Sequence, residues 1–507
     1  IALQSAKFTK QGTKNRFGFV LAKIKSEGTE INLGFDGNGH GTHVAGIAAG
    51  SGQITGVAPG AQIMVLKAMN GSGRADWTTI SDAINYAANH GAKIVNLSMG
   101  QLVQGSAGHS RIGRLIQTLA ESKGMVFVVA AGNSGPGLNT VAIPGDSDGA
   151  ISVGAYISPG MWKQDYKWDV PKEALWFFSS TGPRFDGAMV PQILAPGSAV
   201  STVPGGGYLL NEGTSMAAPH VAGAAALLME AAQKHKIPVT PGKIKQAITL
   251  GAKPLEGFSE VEQGYGKIDV MAAWEKLQQI SDQPLIISNL YNSVLTEGSG
   301  LYARDFNPGK LDSLLENLSG SNLSLKLSST KPWLKPEQEE IFLPSLTSRR
   351  LRLDYQRPEQ PGLYTARLIG EIPGKQGIAL DVLSTVINPY LLDEANGYTQ
   401  EFSNDLAAAQ YQRYFVRVPA GAKDLNVSLT VNQSNGQYMG RARVHLYNPL
   451  GEEYDQDLYD FAGAGPDSVK STAEKTVTEP MAGTWEVVVY SSATLSEYKL
   501  SSSQINL

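Results

Sequence analysis

The sequence predicts an α/β chain: a largely parallel sheet flanked by helices, followed by two antiparallel β-sandwich or jelly-roll units. Three observations carry this. Short β-branched runs alternate with helical patterns up to about residue 280. Helical periodicity then nearly disappears beyond Ser281-Asp282-Gln283-Pro284. Glycine is frequent, 56 of 507 residues, which suits many tight turns and close backbone approaches.

In chain order, Ile63–Leu66, Ile94–Leu97, Met125–Val129 and Ile151–Val153 read as buried parallel strands, being short and continuously apolar. Trp77–His90 reads as a helix stopped by Gly91, and Arg111–Ser122 as one stopped by Gly124. Met216–Lys234 is apolar on almost every face and predicts a central, buried helix. Thr240–Leu250 and Val270–Gln278 read as surface helices that close the unit. Further on, Leu323–Leu327, Arg350–Tyr355, Tyr364–Leu368 and Ala379–Val386 alternate with turns such as Gln360-Pro361-Gly362 and Ile372-Pro373-Gly374. After Asn388-Pro389-Tyr390 come Tyr414–Val418, Leu425–Val431, Arg443–Tyr447 and Thr484–Tyr490. The expected organisation is therefore 36–282, 286–390 and 393–507, with 1–35 set apart. Trp333, Tyr411, Tyr414 and Trp485 raise the idea of a carbohydrate face, but aromatics in sandwiches are more often core.

Composition narrows the function. Lys+Arg 42 against Asp+Glu 46 gives a net charge of −4, and no basic run occurs, so nucleic acid is not an expected partner. No apolar run reaches the ~18 residues needed to span a bilayer. The chain has no cysteine, which excludes disulfides, thiolate metal sites and a cysteine nucleophile. No cofactor is expected; calcium is left open, with no Asp-rich loop to assign it a site. An oligomer is neither required nor forbidden.

Three segments carry chemistry: His40-Gly41-Thr42-His43-Val44-Ala45-Gly46, Ala130-Ala131-Gly132-Asn133-Ser134-Gly135-Pro136 and Gly213-Thr214-Ser215-Met216-Ala217-Ala218-Pro219-His220. Each has a plain reading alone. His40 and His43 without a third ligand make a poor zinc site. Asn133 to Gly137 fits a strand-end turn. Ser215 fits the N-cap of a helix beginning at Met216. Together they supply what acyl transfer needs. Ser215 is a nucleophile at a helix N-terminus, His40 a base of near-neutral pKa, and Asn133 an amide N–H for the developing oxyanion.

These segments resemble the subtilisin-like serine proteases (subtilases), whose signatures are His-Gly-Thr-His, Ala-Gly-Asn and Gly-Thr-Ser-Met-Ala-x-Pro. Phe178-Ser179-Ser180-Thr181-Gly182-Pro183 with Ala195-Pro196-Gly197 resembles the run ahead of the nucleophile. The resemblance implies a subtilisin-like sheet, a serine peptidase with His40 as base, Ser215 as nucleophile and Asn133 as oxyanion donor, and peptide or protein substrates. His43 and His220 are then structural. It also implies a cleft in which Gly71, Ser72 and Gly73 pair with an extended peptide opposite Ser98, Met99 and Gly100, with Ala131 and Gly132 across an apolar S1 mouth.

One family feature is missing. The triad carboxylate belongs N-terminal to the His in an Asp-Ser/Thr-Gly segment, and the only acids before His40 are Glu27, Glu30 and Asp36. Asp36 reads as a turn residue. The alternatives are a first strand with its Asp lying upstream, a silent peptide-binding relative, or a substitute carboxylate. The first is expected, because the other motifs are intact. Gly264-Tyr265-Gly266-Lys267-Ile268-Asp269-Val270, Gly300-Leu301-Tyr302-Ala303-Arg304-Asp305 and Gly362-Leu363-Tyr364-Thr365 resemble the tripeptidyl-peptidase II and pyrolysin branch. That branch carries an insertion between Asp and His, which makes 1–35 the tail of such an insertion. No Glu occurs between Glu30 and Glu121 to hold a substrate amine, so an endopeptidase is expected over a tripeptidyl aminopeptidase. The family also implies secretion over a cytoplasmic location.

Overall fold

The computed structural model describes residues 36–291, 298–455, 460–465 and 470–507 in full. Ahead of them it describes the backbone of three strands, β1 (Ser5–Phe8), β2 (Phe17–Glu27) and β3 (Glu30–Phe35), paired antiparallel in that order. The expectation for 1–35 as an insertion tail lies largely outside the described residues.

Helices α1 (His40–Ala49) and α2 (Trp77–Asn89) lead to β4 (Ile94–Leu97), α3 (Arg111–Lys123), β5 (Val126–Ala130) and β6 (Ala150–Ile157). Asp76 caps α2 through the Thr79 N–H, and Gly124 ends α3 at φ +65°. β4, β5 and β6 pair in parallel. β7 (Ala174–Leu175) joins β6 antiparallel and β8 (Ile193–Pro196) joins it parallel. β5 is buried along its whole length, as a run covered on both faces must be.

One expected strand is not one. Residues 63–66 join no strand among the described residues, and Ile63, Met64 and Val65 stand 50%, 41% and 61% exposed. Leu66 and Ala68 still pack on the buried cluster that Leu97 and Val95 share with α2 and α3. The run thus lies on the same layer as β4. A strand holds only by backbone hydrogen bonds to a neighbour. Among the described residues none joins 62–69 to another strand, and β4 is bonded on its β5 side alone. Among the described residues, the run and the free side of β4 are both without a strand partner.

The central helix is longer by two residues than expected. A short helical turn, α4 (Pro159–Met161), precedes it, as does the hairpin of β9 (Ser198–Thr202) with β10 (Tyr208–Glu212). Helix α5 then runs Thr214–Lys234, with Gly213 as N-cap at φ +142°. Its Ala217, Ala218, Ala222 and Ala225, with Val221 and Leu228, are buried in the cluster shared with β5, β6 and β8. Gly223 permits its crossing with α1: a Cβ there would lie 2.6 Å from Val57 Cβ and 3.0 Å from the Ala48 carbonyl. Helices α6 (Pro241–Leu250), α7 (Glu260–Gln263) and α8 (Val270–Gln279) close this half.

Beyond it, a four-stranded sheet and a five-stranded sheet built from residues 286–388 share one buried cluster that includes Leu315, Leu353, Leu368 and Val382. Two further sheets between residues 390 and 506 enclose another, with Val427, Leu429, Trp485 and Val487. Trp333, Tyr414 and Trp485 are buried in these cores, and Tyr411 donates to Glu262, so they present no carbohydrate platform.

Candidate active site

Asp36 builds the entry to α1. Its Oδ1 accepts the N–H groups of Asn38 (3.0 Å) and Gly39 (2.8 Å), and its Oδ2 accepts Thr42 N–H (2.9 Å) and Thr42 Oγ1–H (2.7 Å). These donors include first-turn amides that a helix leaves unpaired. Against burial, which pushes it up, the bonds from Gly39, Thr42 and Asn38 draw the carboxyl down to about 2. Asp36 is therefore the turn residue the sequence suggests, and its oxygens are committed to the helix start. Its stabilising effect is present above the ordinary 3.8 and is lost as pH falls towards 2. Asp36→Ala is expected to lower stability by about 1 kcal/mol at pH 6, by loss of a capping group. In urea unfolding the gap to wild type should close towards pH 2.

His40 opens α1. Burial lowers its pKa below 6.5, His43 adds to this, and the Asp36 charge opposes it. The neutral, basic form is thereby favoured. His43 is fully buried and bonds the Leu209 carbonyl through Nε2 at 2.9 Å, and His220 bonds the Met216 carbonyl through Nδ1 at 2.8 Å. Both histidines are packed into the scaffold.

Ser215 lies in the first turn of α5, not at its N-cap. Pro219 sits four residues on and has no N–H for the Ser215 carbonyl. That carbonyl accepts Ser98 Oγ–H instead, at 2.8 Å, and Ser215 Oγ–H in turn donates to the Ser98 carbonyl at 3.3 Å. The end of β4 is thus stapled to the start of α5. The sequence motif contained this pairing of Ser215 with Pro219, but the role of Ser98 as its compensating donor was not read from it. α1 and α5 pack together, and no hydrogen bond joins His40 to Ser215 among the described residues.

Asn133 follows β5. Its Oδ1 accepts Thr214 N–H and Thr214 Oγ1–H, both at 3.0 Å. A backbone N–H can only donate, so the amide orientation is fixed and Nδ2–H₂ is left as the free donor beside the N-terminus of α5. The Gly132 N–H donates to the same Thr214 hydroxyl at 3.1 Å. Gly132 has φ +111°, and a Cβ there would lie 2.9 Å from Ser180 Oγ. Thr214 is the positioning side chain that motif reading passed over.

The expected cleft residues fall in several settings. Gly71, Ser72 and Gly73 form an exposed turn, not an extended edge. Its Asn70 side chain accepts the N–H groups of Ser72 and Arg74, and the Gly71 carbonyl accepts Asn38 Nδ2–H. Ser98 is buried and Met99 partly so. Gly100 is required by packing: a Cβ would meet Ala142 Cβ and the Ile143 carbonyl, both at 3.0 Å. Ala131 is fully buried. No group of three His, Asp or Glu is placed to hold a metal ion among the described residues, and no described helix is long and apolar enough to cross a membrane.

Residues 18–267 match the model of the Subtilase family. Over 93% of its length the chain is 31% identical to pyrolysin of Pyrococcus furiosus, of which it spans 37%. It is 30% identical to tripeptidyl-peptidase 2 of Drosophila melanogaster over 84% of its length, spanning 32% of that protein. The crystal structure of tripeptidyl peptidase 2 superposes with a TM-score of 0.79 at 24% identity, covering 99% of this chain and 42% of that one. The chain therefore spans well under half the length of these relatives.

Proposed function

Since the chain carries a subtilase domain and belongs with the pyrolysin and tripeptidyl-peptidase 2 branch, we propose that it is the nucleophile-bearing part of a serine endopeptidase. Its substrates are peptides or proteins, attacked by Ser215 with His40 as base and Asn133 Nδ2 as oxyanion donor. The observation that carries this reading is the arrangement at the start of α5. Ser215 occupies the first helical turn, where the dipole favours negative charge. Thr214 aims the Asn133 donor at the same place.

The reading includes a carboxylate brought to His40 by a strand seated along the open edge of β4. That edge and the unpaired run 62–69 offer two rows of free backbone donors and acceptors, and Asp36 has no oxygen to spare. A silent peptide-binding role is the competing reading, favoured by the lack, among the described residues, of such a carboxylate beside His40. The endopeptidase assignment rests on the scarcity of Glu near the cleft.

The test is labelling of the folded chain with a fluorophosphonate and location of the adduct by peptide mass. An adduct on Ser215, absent from Ser215→Ala, supports the peptidase. A folded chain that stays unlabelled supports the binding role. Release of tripeptides in preference to internal cleavage would replace the endopeptidase assignment.

A further inference from the structure

The second β-sandwich reaches into the catalytic half through one buried cluster. Glu486 is wholly buried, and its carboxylate accepts the Leu138 N–H, with the better contact at 3.0 Å. Arg413 pairs with Glu486 and with Glu262, the latter at 2.8 Å, and donates to the Pro136 carbonyl at 2.6 Å. Arg304 lies 3.7 Å from Glu486 on its other side. The Tyr447 ring covers Gly137 so closely that a Cβ there would come within 2.4 Å of it. Three successive residues, Pro136, Gly137 and Leu138, are therefore held by side chains some 270 to 350 positions later in the chain.

Those three residues continue directly from Asn133. The intervening loop is tied to its own domain at Ser134, whose N–H meets Ser180 Oγ, and at Gly135, whose N–H meets the Phe178 carbonyl. It is tied again at Asn139 and Thr140. In the middle, the Pro136 carbonyl and the Leu138 N–H have partners in the sandwich, while the Gly137 carbonyl accepts Thr140 Oγ1–H at 2.8 Å and Thr181 Oγ1–H at 2.7 Å of its own domain. Burying a carboxylate and two guanidinium groups costs free energy that packing alone would not require. Here Arg413 and Glu486 each bond a backbone group of the loop that bears the oxyanion donor, while Arg304 bonds the Thr484 and Asn448 carbonyls and supports Glu486 from behind.

We infer that Arg413 and Glu486 are positioning residues for the reaction at Ser215: they fix the loop 136–138 and through it the placement of Asn133. The inference rests on the peptidase reading above. It gives the second sandwich a share in transition-state stabilisation without any contact to substrate. A displacement of about 1 Å at a catalytic donor can cost on the order of 10²-fold in rate.

The experiment is a double-mutant cycle on the full chain, read as the rate of Ser215 phosphonylation by a fluorophosphonate at saturating and sub-saturating probe. Glu486→Gln keeps the shape and an acceptor for Leu138 N–H but removes the charge facing Arg413. Gly137→Ala displaces the same loop without changing any charge. Each is expected to slow the saturated rate about tenfold or more with the half-saturating concentration little changed. In an Asn133→Ala background each should add almost nothing, because the donor they position is gone. Near-UV circular dichroism and thermal melting of every variant establish that folded chains are compared.

Slowing by the same factor with and without Asn133 would overturn the inference, since a merely structural role acts on both backgrounds alike. Wild-type rates in folded Glu486→Gln and Gly137→Ala chains would also overturn it. Failure of the folded wild type to label at Ser215 would instead overturn the peptidase reading and take this inference with it.

Discussion

Supplying an Asp-ended β-strand to the open edge of β4 is expected to raise the rate of peptide hydrolysis by about 10⁴-fold, a magnitude carried over from the loss of the triad Asp in subtilisin. The strand can be offered as a separate polypeptide or within the same chain. The structure states why the effect should be large. In the proposed reaction His40 becomes an imidazolium on taking the Ser215 proton, yet burial and His43 disfavour its charged form, with only the Asp36 charge opposing them. A carboxylate at about 4 Å contributes about 4 kcal/mol to the charged pair at an effective dielectric near 20, about a thousandfold in rate. Holding the ring in the productive tautomer adds to this.

The same strand would pair the free backbone of 62–69 with that of β4 and cover Ile63, Met64 and Val65, each contributing about 1 kcal/mol on burial. Two readouts accompany the rate. The pH at half-maximal activity should rise, because an opposite charge raises the His40 pKa. Amides of 62–69 should gain protection from hydrogen exchange. An Asn-ended strand that protects those amides and accelerates hydrolysis equally well would defeat the prediction.

Asn133→Ala is expected to lower the rate at saturating substrate by about 10²–10³-fold, or 2.7–4 kcal/mol, the range for loss of one oxyanion donor in this family. Its Oδ1 is committed to Thr214, so Nδ2 is the atom that the proposed reaction would use. The ground-state carbonyl carries little negative charge and gains little from that donor. The loss should therefore fall on kcat, with KM nearly unchanged. An equal loss in KM with kcat intact would mean that Asn133 binds substrate instead. A folded Asn133→Ala chain at wild-type rate would remove it from the mechanism.

Much of the α/β half was legible because its signals are local. Asp76 before Trp77, Gly124 after α3 and the continuous apolar run of β5 each act within a few residues, and their elements formed within one or two positions of the reading. Ile63–Leu66 failed for the opposite reason. Its residues suit a buried strand, but a strand also needs neighbours, and no pattern within four residues states whether the flanking strand is there. At the site, His40, Asn133 and Ser215 stood out by type and spacing. Ser98 and Thr214 did not, since a hydroxyl's partner depends on folding: Ser98 matters because Pro219, 121 positions away, leaves the Ser215 carbonyl free. Gly100 was expected at the substrate edge, and a Cβ on it would press on Ala142 and the Ile143 carbonyl. A glycine reveals that something comes close, not what. The cluster of Arg304, Arg413, Glu262 and Glu486 joins distant segments and left no motif at all.

The contact of Tyr447 with Gly137 bears on how such a chain can change over generations. A surface loop ordinarily accepts insertions and substitutions freely. Here, any side chain added at 137 must be answered by a smaller one at 447, and a lost charge at 486 by one at 413. The subtilase half and the last sandwich are thus expected to be inherited together. Exchange of that sandwich between relatives would succeed only where the matching residues of both halves travel as a set.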